Sequence, residues 1–237
     1  MPARYDPAGL GEAFAGADHL LLVSAPATGE AARRQHRTAV AAARDAGVRR
    51  IVYTSHMGAD PASLFAPMPD HAATEQMLAD SGVPFTALRN GFYAATVPML
   101  LGPALQSGRL AVPADGPVSW TSHADLAEAA AVILTEGGFD GPTPPLTATE
   151  ALDLTQIAEL AAGLLGRPLV RTVLPVEEYR AGLVAHGVPA AAAEMLGGLF
   201  AASRAGEFAT TDPTLEKLLG HPTRTIRDLL TETLAVG

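Results

Sequence analysis

Ile51-Val52-Tyr53-Thr54-Ser55 decides the fold class of this chain. Two β-branched apolar residues and an aromatic ring, followed by hydroxyl side chains, read as a buried strand with a polar exit. On its N-terminal side, Arg33 to Ala46 places Ala39, Val40 and Ala43 on one helical face, and Gly47 supplies the stop. Before that helix, Leu20-Leu21-Leu22-Val23 reads as another strand, ended by Ser24-Ala25-Pro26. On the C-terminal side, Pro61, Pro67 and Pro69 mark a long surface loop from His56 to Pro69. A helix from about Asp70 to Asp80 follows, with Asp70 as candidate N-cap and Gly82 as stop, and then a strand from Phe85 to Leu88. Strands separated by single helices imply parallel crossovers, and so an α/β, doubly wound parallel sheet.

The second half is less regular. Ala94 to Gln106 is apolar but contains Pro98 and Pro103, Asp125 to Thr135 is an alanine-rich helix with Asp125 as its cap, and Pro142, Pro144 and Pro145 form a connector. Helical patterns cover Thr155 to Leu165, Val176 to His186, Ala190 to Arg204 and Ile226 to Leu234. This predicts two domains, residues 1–140 holding the parallel sheet and residues 141–237 forming a small, mostly helical subdomain.

Composition narrows the function. A chain of 237 residues with 48% hydrophobic content can bury a substantial core. Its formal charge of -9 repels a phosphate backbone, which argues against nucleic-acid binding by charge. The absence of cysteine removes disulfides, thiolate catalysis and Cys-based metal sites, and the histidines show no metal-ligand spacing with carboxylates. No apolar run approaches the ~20 residues of a membrane helix, and the expected location is the cytoplasm.

Several segments in register resemble the NmrA-like, atypical short-chain dehydrogenase/reductase family, and within it the type two NAD(P)H:quinone oxidoreductases. They are Gln35-His36-Arg37 with Ala41 to Val48, the Ile51 strand, Asp70 to Leu78, Ser81 to Tyr93, Asp125 to Ala131, and Gly220-His221-Pro222-Thr223-Arg224-Thr225. The resemblance implies a Rossmann-like fold, NADPH or NADH as cofactor, and hydride transfer to a quinone or similar conjugated acceptor. It equally accommodates a non-catalytic NmrA-like protein that senses NAD(P) or contacts a partner, or an inactive truncated homologue.

One part of the family pattern is missing. No G-x-G-x-x-G or G-x-x-G-x-x-G occurs before Leu20. The resemblance places Met1 near the end of the third family strand, so about two βα units of ~20–30 residues each are expected to be absent, through truncation or a late start. The Leu20 strand is then expected at a sheet edge, cofactor binding is expected to be weak, and a homodimer through that edge is expected.

The expected pocket lies where strands end at Ser24, Ser55 and Arg89, because ligands of doubly wound folds sit at the carboxyl ends of strands. By resemblance, Ser24, Ala25 and Pro26 lie near the nicotinamide ribose or pyrophosphate; a plain strand-ending turn is the alternative. Tyr53, Thr54 and Ser55 end the next strand at the same edge, either polarising ligand atoms or filling the core and bonding backbone. Asn90, Gly91 and Phe92 leave the third strand, where glycine permits close approach and Phe92 or Tyr93 can cover a flat ring. His71 and Glu75 stand i, i+4 on one helix, at the position of the Tyr-x-x-x-Lys pair of other family members. His71 would donate a proton with Glu75 raising its pKa, with Tyr93 as a further catalytic candidate; the alternative is an exposed first-turn histidine. Gln35 and His36 read as a substrate-edge or subunit-contact pair, or as a solvated polar face. Trp120 and His123 would rim the pocket.

Overall fold

The computed structural model describes residues 5 and 7–235. Its elements run α1 (Pro7–Phe14), β1 (His19–Leu22), α2 (Glu30–Asp45), β2 (Arg50–His56), α3 (Pro67–Asp80), β3 (Phe85–Asn90), β4 (Phe92–Tyr93), α4 (Thr96–Ser107) and β5 (Arg109–Val112). They continue with β6 (Trp120–Thr121), α5 (His123–Glu136), β7 (Gly141–Pro142), α6 (Leu154–Leu165), β8 (Val170–Val173), α7 (Val176–Ala185), α8 (Ala190–Arg204), α9 (Thr214–Leu219) and α10 (Ile226–Ala235). The chain divides into two compact units: residues 1–90 with 127–146, and residues 91–126 with 147–237. Each unit is discontinuous in sequence, whereas the pattern of elements suggested one boundary between residues 140 and 141.

The first unit is built on a parallel sheet of order β1-β2-β3-β7. Leu22 pairs with Tyr53, and Ser55 and His56 pair with Arg89 and Asn90, so the three strands finish along one edge. Ile51, Val52, Tyr53, Ala87 and Leu88 are fully buried, as expected for strands covered on both faces. Ala32, His36, Ala39, Val40 and Ala43 form the buried stripe of α2, and its small side chains let the helix lie close on the sheet. Gly47, at φ 76°, closes α2: its N–H donates to the Arg44 carbonyl and that of Val48 to the Ala43 carbonyl, each at 3.0 Å. This is the paired C-terminal bonding for which a left-handed glycine is needed.

Two expectations shift for local reasons. α3 starts at Pro67 rather than Asp70. The first helical turn has no intrahelical use for its N–H groups, so prolines 67 and 69 fit there instead of breaking the helix. Asp70 consequently does not cap its own helix. β1 is the outer strand of the sheet, as expected, with Leu21 38% exposed and Val23, just past its end, 60% exposed.

In the second unit the expected helices are present, with Asp153 completing a capping box on α6: its Oδ1 accepts from Thr155 N and Gln156 N, and Gln156 Oε1 accepts from Asp153 N. The parallel pairs β4–β6 and β5–β8 were not expected. Strands of two to four residues are too short to display a period of two. Gly116 lies directly against the Ser203 carbonyl, where a Cβ would overlap it.

Candidate active site at the carboxyl edge of the sheet

The residues ending β1, β2 and β3 share one edge and are tied across it. Ser24 N–H donates to Thr54 Oγ1 at 2.8 Å. One residue on, Ala25 N–H donates to His36 Nε2 at 2.9 Å. The loop ends at Gly29, whose N–H donates to Asp70 Oδ2 at 2.5 Å, while Arg33 Nε donates to Asp70 Oδ1 at 2.7 Å. Asp70 therefore serves the N-terminus of α2 from a neighbouring helix. Its carboxylate meets the positive end of the α2 dipole.

Alternation along β2 turns Tyr53 and Ser55 toward α3. Tyr53 is fully buried, with its hydroxyl 2.9 Å from His71 Nδ1. It is enclosed in the core and offers no surface to a cofactor, which corrects its assignment as a cofactor-binding residue. Ser55 Oγ donates to Glu75 Oε1 at 2.6 Å, and Arg89 grips the same carboxylate through Nε at 3.1 Å and Nη2 at 2.7 Å. Ser55 is thus a support for Glu75, itself buried, rather than a cofactor contact.

The expected partnership of His71 and Glu75 is not formed. The two side chains leave the same helix, but the Glu75 carboxylate turns to β2 and β3, drawn by a cationic guanidinium and a hydroxyl. Left with Tyr53 as its partner, His71 is shifted in the opposite direction from that expected. Burial, with the adjacent His36, pushes its pKa down to about 4. Nor is it an exposed first-turn residue, since it is half-buried. His56, at the end of β2, is pushed down to about 3 by burial and by His71, and the ring centroids of these two histidines lie 6.0 Å apart. Near neutral pH both are neutral, so this edge of the first unit supplies no imidazolium.

Asn90 is the last residue of β3. It is buried, its backbone carbonyl accepts from Met57 N–H at 2.8 Å, and its Oδ1 has no hydrogen-bond partner among the described residues. A buried acceptor left open is costly unless a ligand fills it.

The second unit begins at Gly91. Phe92 packs in that unit's core, its ring 5.3 Å from Trp120 and 5.1 Å from Phe208, so it does not cover a ligand ring as expected. Trp120 is buried too and donates from Nε1 to the Leu152 carbonyl at 2.9 Å, which removes it from the pocket rim. Tyr93 is half-buried, and its ring lies 4.3 Å from that of His123. Asp125 does not cap α5: Ser122 Oγ accepts from Ala124 N–H, while the buried Asp125 accepts from Arg224 N–H at 2.8 Å and so fastens the turn before α10.

Thr74 was not singled out from the sequence, and the roles that His36, Asp70 and Arg89 take here differ from those expected of them. His36 carried a usable signal: it falls on the stripe of Ala32, Ala39 and Ala43, which places it inside rather than on a solvated face.

Residues 4–137 match the NAD(P)H-binding family. An NmrA-like family domain-containing oxidoreductase of Aspergillus flavus is 33% identical over 96% of this chain and 78% of its own length. The chain belongs to the NAD(P)H-binding, NmrA-like family. Quinone oxidoreductase 2 of Escherichia coli is 36% identical over 94% of this chain and 78% of its own length. The crystal structure of the E. coli NADPH-dependent quinone oxidoreductase complexed with NADPH superposes with a TM-score of 0.92 at 35% identity, covering 98% of this chain and 82% of that one. The triphenylmethane reductase of Citrobacter sp. complexed with NADP(H) gives a TM-score of 0.87 at 32% identity, covering 97% and 81%.

The residues at the edge fit one end of an NAD(P)H molecule. The open Asn90 Oδ1 suits an amide or hydroxyl donor, and the nicotinamide carboxamide and ribose carry both. The N-terminus of α2 does not fit the diphosphate, because the Asp70 carboxylate already sits there.

Proposed function

We propose that this protein passes hydride from NADPH or NADH to a quinone or another flat, conjugated acceptor, as a homodimer acting in the cytoplasm. NAD(P)H, when bound, supplies the hydride. The protein's share is to align two planar groups and limit water around them. Ser24, Ala25, Pro26 and Thr54 form the wall at the ends of β1 and β2. Asn90 accepts a donor from the nicotinamide end, with Gly91 allowing close approach.

The observation that carries this reading is the placement of His71: its Nδ1 faces the buried Tyr53 hydroxyl at 2.9 Å, while Ser55 and Arg89 hold the Glu75 carboxylate away from it. In the helix position where other family members place Tyr-x-x-x-Lys, this chain holds an imidazole whose pKa has fallen to about 4. A simple ketone needs a proton as its carbonyl carbon takes hydride. A quinone does not, since hydride addition gives a delocalised hydroquinone anion, which water then protonates. The overall balance is NAD(P)H, quinone and one proton giving NAD(P)⁺ and hydroquinone.

The exposed Leu21 on the outer strand β1, with the exposed Val23 just beyond its end, supports the homodimer. An apolar, unpaired strand edge is a template for a second copy.

The test follows the near-ultraviolet absorbance of NADPH and NADH with a benzoquinone and, separately, with an unconjugated ketone. Oxidation with the quinone alone is the expected result. Binding of NADPH without turnover of any conjugated acceptor would favour a cofactor-sensing, non-catalytic protein.

A further inference from the structure

The loop between β1 and α2 is fastened at both ends by side chains that the chemistry above does not use. Ala25 N–H donates to His36 Nε2, so that nitrogen is an acceptor and the ring proton sits on Nδ1. Nδ1–H then donates to Thr74 Oγ1 at 2.8 Å, and the Thr74 hydroxyl donates to the Asp70 carbonyl at 2.7 Å. At the far end of the loop, Gly29 N–H and Arg33 Nε meet the Asp70 carboxylate. The His36 ring stands edge-on to Tyr53 with centroids 5.5 Å apart. His36 is 1% exposed and Thr74 is fully buried, so water does not compete for these bonds.

We propose that His36 is a positioning residue for cofactor binding, holding the Ser24–Pro26 turn in one conformation through a neutral, Nδ1-protonated imidazole anchored on Thr74 of α3. The inference rests on the reading that this turn lines the NAD(P)H site. It deepens that reading by setting what the turn can recognise. The Ala25 and Gly29 amides, which at a strand-to-helix turn commonly face a ligand phosphate, are both spent within the protein. The turn therefore takes an uncharged, flat part of the ligand, and its affinity depends on shape rather than charge. His36 reaches the ligand only through Ala25.

Amide hydrogen exchange by NMR at Ala25, with NADPH titration followed by fluorescence, tests this on the whole chain. Three proteins are compared: wild type, His36→Leu, and His36→Gln, which keeps an acceptor for Ala25 N–H. In His36→Leu the Ala25 exchange rate is expected to rise about tenfold or more, while Ile51 and Tyr53 amides stay protected. NADPH affinity is expected to fall by a similar factor, and His36→Gln to restore most of both. If His36→Leu does not fold, Thr74→Val removes the anchor of the ring and is expected to raise Ala25 exchange in the same way. Unchanged Ala25 exchange in these variants overturns the proposal. Raised exchange with unchanged NADPH affinity overturns the positioning role while leaving the quinone reading intact. Protected Ala25 in a wild-type protein that binds no NADPH overturns the reading on which the proposal rests.

Discussion

Glu75 and Arg89 form a two-point ion pair, Nε to Oε1 at 3.1 Å and Nη2 to Oε2 at 2.7 Å, across the face where α3 covers β3. Glu75 is buried and Arg89 about a third exposed, so the pair is screened from one side only. The bond to Glu75 raises the Arg89 pKa, opposed in part by burial. Replacing Glu75 by Gln leaves a partly buried guanidinium without its counter-charge. The expected loss is about 1–3 kcal/mol, below the range for fully buried pairs because Arg89 keeps some water. Denaturant unfolding measures it. NMR titration of His71 in the same variant is expected to show little change, since Glu75 does not touch that ring. A His71 pKa that moves strongly would restore the partnership the helix spacing suggested.

Stability is expected to fall as the solution is acidified. His36, His56 and His71 all have pKa values below the usual 6.5, the last two at about 3 and about 4, and burial is the main cause in each. The unfolded chain therefore binds these protons first as pH falls. The contribution is fully present above 6.5, is lost progressively below it, and continues to drain toward the folded values near 4 and 3. Melting temperature against pH checks this, and a flat profile between about 6.5 and 4 would contradict it.

Gly116→Ala is expected to destabilise the second unit. The added Cβ would overlap the Ser203 carbonyl, which is backbone and cannot swing away. A cost of about 1–3 kcal/mol is expected from such overpacking, read as a lower unfolding midpoint.

Leu21→Lys tests the dimer. Light scattering after size exclusion should show wild type as a dimer and the variant as a monomer, because a charge on an edge strand opposes pairing. A wild-type monomer at micromolar concentration would contradict the proposed association.

The fold was legible because β1, β2 and β3 each carry their own pattern, whereas the two-residue β7, read as part of a proline connector, does not. Leu20 to Val23, Ile51 to Thr54 and Phe85 to Leu88 are short apolar runs separated by single helices, and the parallel sheet follows. The shared edge at Ser24, Ser55 and Arg89 followed from the same reasoning. What failed was partner choice. Spacing placed His71 and Glu75 one turn apart on α3, but it could not show that Arg89, fourteen residues away in sequence, competes for the carboxylate. Tyr53, Phe92 and Trp120 were all placed at the ligand site, yet aromatic side chains also fill cores. Only the packing of the finished fold distinguishes the two uses. The β4–β6 and β5–β8 pairs are long-range and too short to leave a periodic trace.

The most direct test of the account is single-turnover reduction of a benzoquinone by NADPH, with wild type and His71→Gln, from about pH 6 to 8. Hydride transfer by both proteins is expected at rates within about threefold, with no inflection in that range, because no protein acid takes part. A loss of about a hundredfold or more in His71→Gln, the size expected for removal of a general acid, or no quinone reduction by wild type, would contradict it.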